Sequence, residues 1–163
     1  MIDQRPKIVV LSGLPGSGKT TIRKSIEYKN FSHVSSDDYI EYYAKSRGLS
    51  YSQVFEELIK YANTYANMVY DNAVMQSRDI IVDRTNLTKK SRSRWVSQLG
   101  NKYHKTLIIV NAKDSHIESV NSERLKVGRG IPESALSDMR GKFISSGIDH
   151  PLYDKVRILQ FGK

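Results

Sequence analysis

The chain has 163 residues and carries 26 Lys or Arg against 17 Asp or Glu, a net charge of +9 with His neutral. That length suffices for one domain with a proper core, and a hydrophobic share of 39% suits a water-soluble fold rather than a bilayer span or a disordered tail. The absence of cysteine excludes a disulfide framework and thiol chemistry, and His33, His104, His116 and His150 lack the spacing of a transition-metal site.

No apolar run is long enough to cross a membrane and the stretch from Met1 to Pro6 lacks a signal-peptide pattern, so a cytoplasmic location is expected. The excess positive charge asks for an anionic partner, which nucleotides and nucleic acids both satisfy. No repeat or linker-like composition shift divides the chain, so residues 1–163 are expected to form a single domain.

A β-branched run over Ile8–Ser12 predicts the first strand, and Gly13-Leu14-Pro15-Gly16-Ser17-Gly18-Lys19-Thr20 follows it directly. This is the phosphate-loop pattern G-x-x-x-x-G-K-[ST] at every defined position. Glycines let the backbone wrap phosphate oxygens with successive N–H groups, and Lys19 supplies a point charge for the β and γ phosphates. Thr20 places a hydroxyl on Mg²⁺, while Pro15, Ser17 and Thr21 support the loop. ATP with Mg²⁺ is the expected ligand, and GTP is compatible because no adenine-recognition motif is present.

A helix is predicted over Thr20–Tyr28, then a short strand at His33–Ser35. The long helical region that follows shows Phe55, Leu58, Ile59, Ala62, Ala66, Val69, Ala73 and Val74 at spacings of three and four, an apolar face. The tyrosines crowding it fit the edge of a core better than a base-stacking channel, because they follow the helical spacing. Further strands are predicted at Asp79–Asp83, Thr106–Asn111 and Val156–Phe161. Thr88 reads as the N-cap of a helix reaching residue 100, with Trp95, Val96 and Leu99 inward and Lys89, Lys90, Arg92 and Arg94 in its first turns. Helices over Ser115–Lys126 and from Glu133 to Phe143 flank Gly128-Arg129-Gly130-Ile131-Pro132, and Gly147 and Pro151 lead into the last strand. The alternation predicts an α/β fold with a five-stranded parallel sheet, helices on both faces, and a helical lid near residues 124–132.

Ligands of such sheets collect beyond the carboxyl ends of the strands. Asp37 is the candidate general base for an acceptor hydroxyl, with Asp38 beside it in an acceptor-binding or capping role. Asp83 is a candidate support for Mg²⁺, and Arg84, Thr85 and Asn86 are candidates for holding the acceptor. Arg124, Lys126 and Arg129 form a basic set able to close on the transferring phosphoryl group.

The succession of the phosphate loop, Ser36-Asp37-Asp38-Tyr39, Asp83-x-Thr85-Asn86 and a basic segment ending in Ile131-Pro132 resembles the 5′-polynucleotide kinases of phages. The resemblance covers nearly the whole chain. It implies the P-loop NTPase fold and transfer of the γ-phosphate of ATP to the 5′-hydroxyl end of DNA or RNA. It also implies Asp37 as base, Lys19 and Thr20 at the phosphates, and Lys126 as lid cation with Arg124 and Arg129 beside it. Ile40 stands where the family has an arginine for the acceptor's phosphate, and Lys126 stands, in an ungapped comparison, where it has a lid arginine. Arg84, Lys89, Lys90 and Arg92 are the candidate replacements for the phosphate contact. The Asp-x-Asp-x-Thr signature of a companion phosphatase is absent, so a kinase alone is expected. Two other readings fit the same motifs: a phosphotransferase acting on a small hydroxyl compound, and a nucleotide-dependent switch without an acceptor.

Overall fold

Parallel pairing of five strands sets the architecture of this computed structural model, which describes residues 2–145, 147 and 151–161. The strands are β1 (Lys7–Ser12), β2 (Ser32–Val34), β3 (Ile80–Asp83), β4 (His104–Ala112) and β5 (Lys155–Phe161). They lie in the order β2-β3-β1-β4-β5 and are parallel throughout. The helices are α1 (Lys19–Arg23), α2 (Ser36–Ser46), α3 (Tyr51–Met75), α4 (Lys89–Ser93), α5 (Asp114–Lys126) and α6 (Glu133–Ser145).

Central strands of a parallel sheet are covered on both sides and read as continuous apolar runs. In β1 this divides cleanly by the strand period of two. Ile8 and Val10, with Ile80, Val82, Leu107 and Ile109, face α3 and the residues Trp95, Val96 and Leu99. Val9 and Leu11, with Ile81, Ile108 and Val110, face Ile22 of α1 and the 3₁₀ turn Ile26–Tyr28. Helical segments therefore cover both faces. Truncating one of these fully buried isoleucines to alanine costs about 2–5 kcal/mol.

α3 starts with a capping box, in which Ser50 Oγ accepts from Gln53 N and Gln53 Oε1 accepts from Ser50 N. Val54, Leu58 and Ala62 of its first half pack on Ile40 and Ala44 of α2, and Ala66 and Ala73 of its second half pack on the sheet. Val54 takes the inward position expected of Phe55, which is exposed. The tyrosines make ring contacts at the core edge, Tyr39 with Tyr43 and Tyr65, and Tyr51 with Phe55.

Two predicted helices are shorter than their sequences suggest. The one expected over Thr20–Tyr28 stops at Arg23, where extended backbone at Ser25 turns the chain so that Tyr28 enters the second core. The one expected to reach residue 100 stops at Ser93, although its capping box at Thr88 and Ser91 forms and Trp95, Val96 and Leu99 are buried as expected. His150 and most of the predicted turn between Gly147 and Pro151 lie outside the described residues.

Candidate active site

The loop between β1 and α1 sits at the carboxyl edge of the central strand. Gly16 and Gly18 adopt φ of 84° and 110°, and a Cβ on Gly13 would fall 2.7 Å from both Ser17 Oγ and Val110 O. Only glycine fits these positions. Lys19 Nζ donates to Gly13 O at 2.8 Å and Leu14 O at 2.9 Å, and burial pulls its pKa down to about 8 against the attraction of Asp83 and Asp37. Ser17 Oγ is buried with no hydrogen-bond partner among the described residues.

Thr20 Oγ1 donates to Asp83 Oδ2 at 3.1 Å, so a hydroxyl and a carboxylate from two elements meet beside the loop. Arg23, which the sequence did not single out, holds this carboxylate. Its Nε lies 2.7 Å from Asp83 Oδ2, and its two terminal nitrogens donate to Asp38 at 2.9 Å each. Burial opposes the guanidinium charge, but the hydrogen bond and charge of Asp83, then Asp38, outweigh it and raise the Arg23 pKa. Asp38, expected in an acceptor-binding or capping role, is engaged with Arg23.

A cleft of about 400 Å³ lies against the loop, lined among others by Lys19, Thr20, Asp37, Asp83, Arg124 and Arg129. Pro15, Gly16, Gly18, Thr21, Arg84 and Thr85 border it too, with His116, Val120 and Phe161, which sequence reasoning passed over. Phe161 stands at the loop itself, since a Cβ on Gly18 would come within 3.1 Å of its ring. A larger cavity of about 770 Å³ opens at the opposite, amino-terminal ends of the strands and holds none of the motif residues. The chemistry follows the motif residues rather than the volume.

Asp37, in the first turn of α2, accepts a 2.5 Å hydrogen bond from Tyr51 Oη of α3. Burial first, then the Asp37 charge, drives the Tyr51 pKa far above its ordinary value. Arg129 lies over the Tyr51 ring, pairs with Glu41 at 2.6 Å and stands 3.9 Å from Asp37 Oδ2. The Arg124 guanidinium reaches the cleft with no hydrogen-bond or ion-pair partner among the described residues, and burial, then Arg129, lowers its pKa. The segment between α5 and α6 is tied to α3 by a bond from Ser52 N to Gly128 O at 2.9 Å.

Three other expected site residues are placed elsewhere. Lys126 points to solvent and pairs with Glu123, away from the cleft. Asn86 is buried: its Nδ2 donates to Leu11 O and its Oδ1 accepts from Trp95 Nε1, so it joins β1 to the segment after α4. Arg92 is only 1% exposed and donates to Ser12 Oγ and to the carbonyls of Asn86, Leu87 and Gly147, which leaves it inside the structure instead of on a ligand-facing surface. Lys89 and Lys90 are exposed.

Residues 8–144 match the AAA domain family. The chain belongs to that family. Its parallel sheet and phosphate loop give it the P-loop NTPase fold. No curated protein sequence matches it. Among solved structures it resembles a candidate kinase from Chloroflexus aurantiacus at 16% identity and a TM-score of 0.65, over 96% of this chain and 89% of that one. A chain of the Pnkp1/Rnl/Hen1 RNA repair complex shows 22% identity and a TM-score of 0.62, over 89% of this chain and 46% of that one. A sugar kinase from Janibacter sp. HTCC2649 shows 18% identity and 0.60, over 95% and 85%. Likeness at these identities is likeness of fold.

The residues present fit a Mg²⁺-nucleotide. The glycine cradle, the Ser17 hydroxyl, unpartnered among the described residues, and the buried Lys19 suit a polyphosphate, and Thr20 with Asp83 offers hard oxygen donors. Among the described residues no three His, Cys, Asp or Glu side chains gather into a metal cage.

Proposed function

We infer that the protein is an ATP-dependent kinase of 5′-hydroxyl polynucleotide ends. The observation that carries this is one cleft in which the Asp37 carboxylate shares walls with Lys19, Thr20, Arg124 and Arg129. A base for the acceptor hydroxyl and cations for the transferring group are the parts phosphoryl transfer needs. Asp37 takes the hydroxyl proton as the acceptor oxygen bonds the γ-phosphorus, and the bond from that phosphorus to the bridging oxygen of ADP breaks. Lys19 and Arg124 offset the charge on the phosphoryl oxygens, while Arg129, on the Tyr51 ring, steadies the wall beside Asp37. Thr20, with Asp83 behind it, would hold Mg²⁺, which would supply further charge neutralisation at the phosphates.

The net charge of +9 and the succession of motifs support a nucleic-acid acceptor, and a chain of an RNA repair complex is among the structures that share the fold. A second reading, a small hydroxyl acceptor, is favoured by Ile40, which is fully buried in the α2–α3 core and offers no cation three residues beyond the base. Labelled γ-phosphate transfer separates them. Label on a 5′-hydroxyl oligonucleotide that disappears with Asp37→Asn supports the first reading, and label on sugars or sugar acids alone supports the second.

A further inference from the structure

Beside the cleft lies a pocket of about 240 Å³ between the β3–α4 loop and the end of α4, lined by Arg84, Thr85, Ser91, Arg94 and Trp95 among others. Arg84 and Thr85 also line the main cleft, so the two cavities share a wall. Two guanidinium groups meet here without a carboxylate between them. Arg84 donates to Asn63 Oδ1 at 2.9 Å and Arg94 to Asn67 Oδ1 at 2.6 Å, one turn apart on α3, and neither forms an ion pair among the described residues. Arg94 also lies 4.5 Å from the centre of the Trp95 ring. Neutral amide oxygens fix these cations in place without an ion pair, and Arg84 is depressed by burial and then by the charge of Arg94, against the weaker attraction of Asp37 in the cleft. Holding two like charges together costs free energy that an anion between them returns.

Resting on the kinase reading above, we propose that the pocket of Arg84 and Arg94 binds the phosphodiester that follows the reacting nucleoside of the acceptor strand. The shared wall places that phosphate beside the cleft holding Asp37. The asparagine-fixed guanidinium groups supply forked donors that suit phosphate oxygens.

The test uses the full chain with saturating Mg·ATP and two dinucleoside acceptors that share the same 5′-hydroxyl. One carries a phosphodiester, the other a neutral methylphosphonate. The diester acceptor is expected to show a KM lower by about tenfold, the size of a charge-assisted contact. Arg94→Gln, at an exposed position, should raise the KM of the diester acceptor about tenfold while changing that of the methylphosphonate and of ATP by less than about twofold. Equal KM values for both acceptors, or an equal loss on both in the variant, overturns the proposal. Transfer to neither acceptor overturns the polynucleotide reading instead. The pocket is then read separately, by titrating inorganic sulfate into protein saturated with Mg·ADP and following the arginine Nε–Hε signals. Saturable shifts of Arg84 and Arg94, lost in Arg94→Gln, uphold an oxyanion pocket serving another acceptor, and their absence overturns it.

Discussion

Lys19 is held in opposition to its own charge: burial brings its pKa down from 10.5 to about 8, and the two loop carbonyls that receive its protons are neutral. Below pH 8 both the folded and unfolded chains keep the proton and the burial penalty stands in full. Between about pH 8 and 10.5 the unfolded chain binds more protons, so stability rises with pH through that window. A bound polyphosphate favours the ammonium, so ATP binding near pH 8.5 should take up a proton. Calorimetry in buffers of different ionisation enthalpy reads this directly. Equal heats in every buffer would refute it, and Lys19→Met should abolish the uptake while weakening ATP by about tenfold or more. Arg23 makes a second case. Its removal strands the Asp83 carboxylate, whose side chain is 7% exposed, so Arg23→Met should cost about 3 kcal/mol and lower Tm by roughly 10 °C. Adding Asp83→Asn should recover part of that loss, and a double variant no more stable than the single one would argue against the pair.

At the scale of elements, β1, the phosphate loop and the capped starts of α3 and α4 carry short-range signals that fix local structure from a few adjacent residues. The loop was therefore legible in the sequence, and Asp37, proposed as the base, lines the cleft beside it. Arg23, Tyr51 and Phe161 were not, because each acquires its place from a partner on a different element: Asp83 on β3, Asp37 on α2, and the Gly18 backbone. The same cause misled the reading of Arg92 and Lys126. Basic residues of one turn look alike in sequence, and only the packing sends Arg92 inward to Ser12 Oγ and the carbonyls of Asn86, Leu87 and Gly147 and leaves Lys126 in solvent. Tertiary pairing likewise overrode helix propensity after Arg23 and Ser93. The segment expected to be a lid rests on α3 through Gly128, whose φ is 71° and where a Cβ would come 2.7 Å from Ser50 Cβ. Gly128→Ala should lift it at a cost of about 1–3 kcal/mol to that contact. The Ser52 amide, which bonds Gly128 O, should then exchange its hydrogen at least tenfold faster while the amides of β1 stay protected. Unchanged exchange at Ser52 would mean that the segment and α3 are joined by other contacts.

For the whole molecule the deciding quantity is where the charge of +9 does its work. The carboxylates at the cleft are already committed: Asp83 and Asp38 to Arg23, Glu41 to Arg129, and Asp37 to Tyr51. Arg124, Arg84 and Arg94 are left without carboxylate partners among the described residues, and Lys89 and Lys90 extend the positive surface beyond them. A strand laid from the cleft across this surface would neutralise several phosphates and release their counterions. With three phosphates engaged, the slope of log affinity against log salt is about −2 for a single strand, so KM for a 5′-hydroxyl oligonucleotide should rise roughly 20-fold between 50 and 200 mM NaCl. A neutral nucleoside with the same hydroxyl should show little change, because it displaces no counterions. Raising strand length from two to six nucleotides should steepen the slope until the basic surface is spanned, after which added length has no effect. A flat salt response for every acceptor would confine the charge to the nucleotide side of the cleft and favour the small-hydroxyl kinase suggested by the buried Ile40.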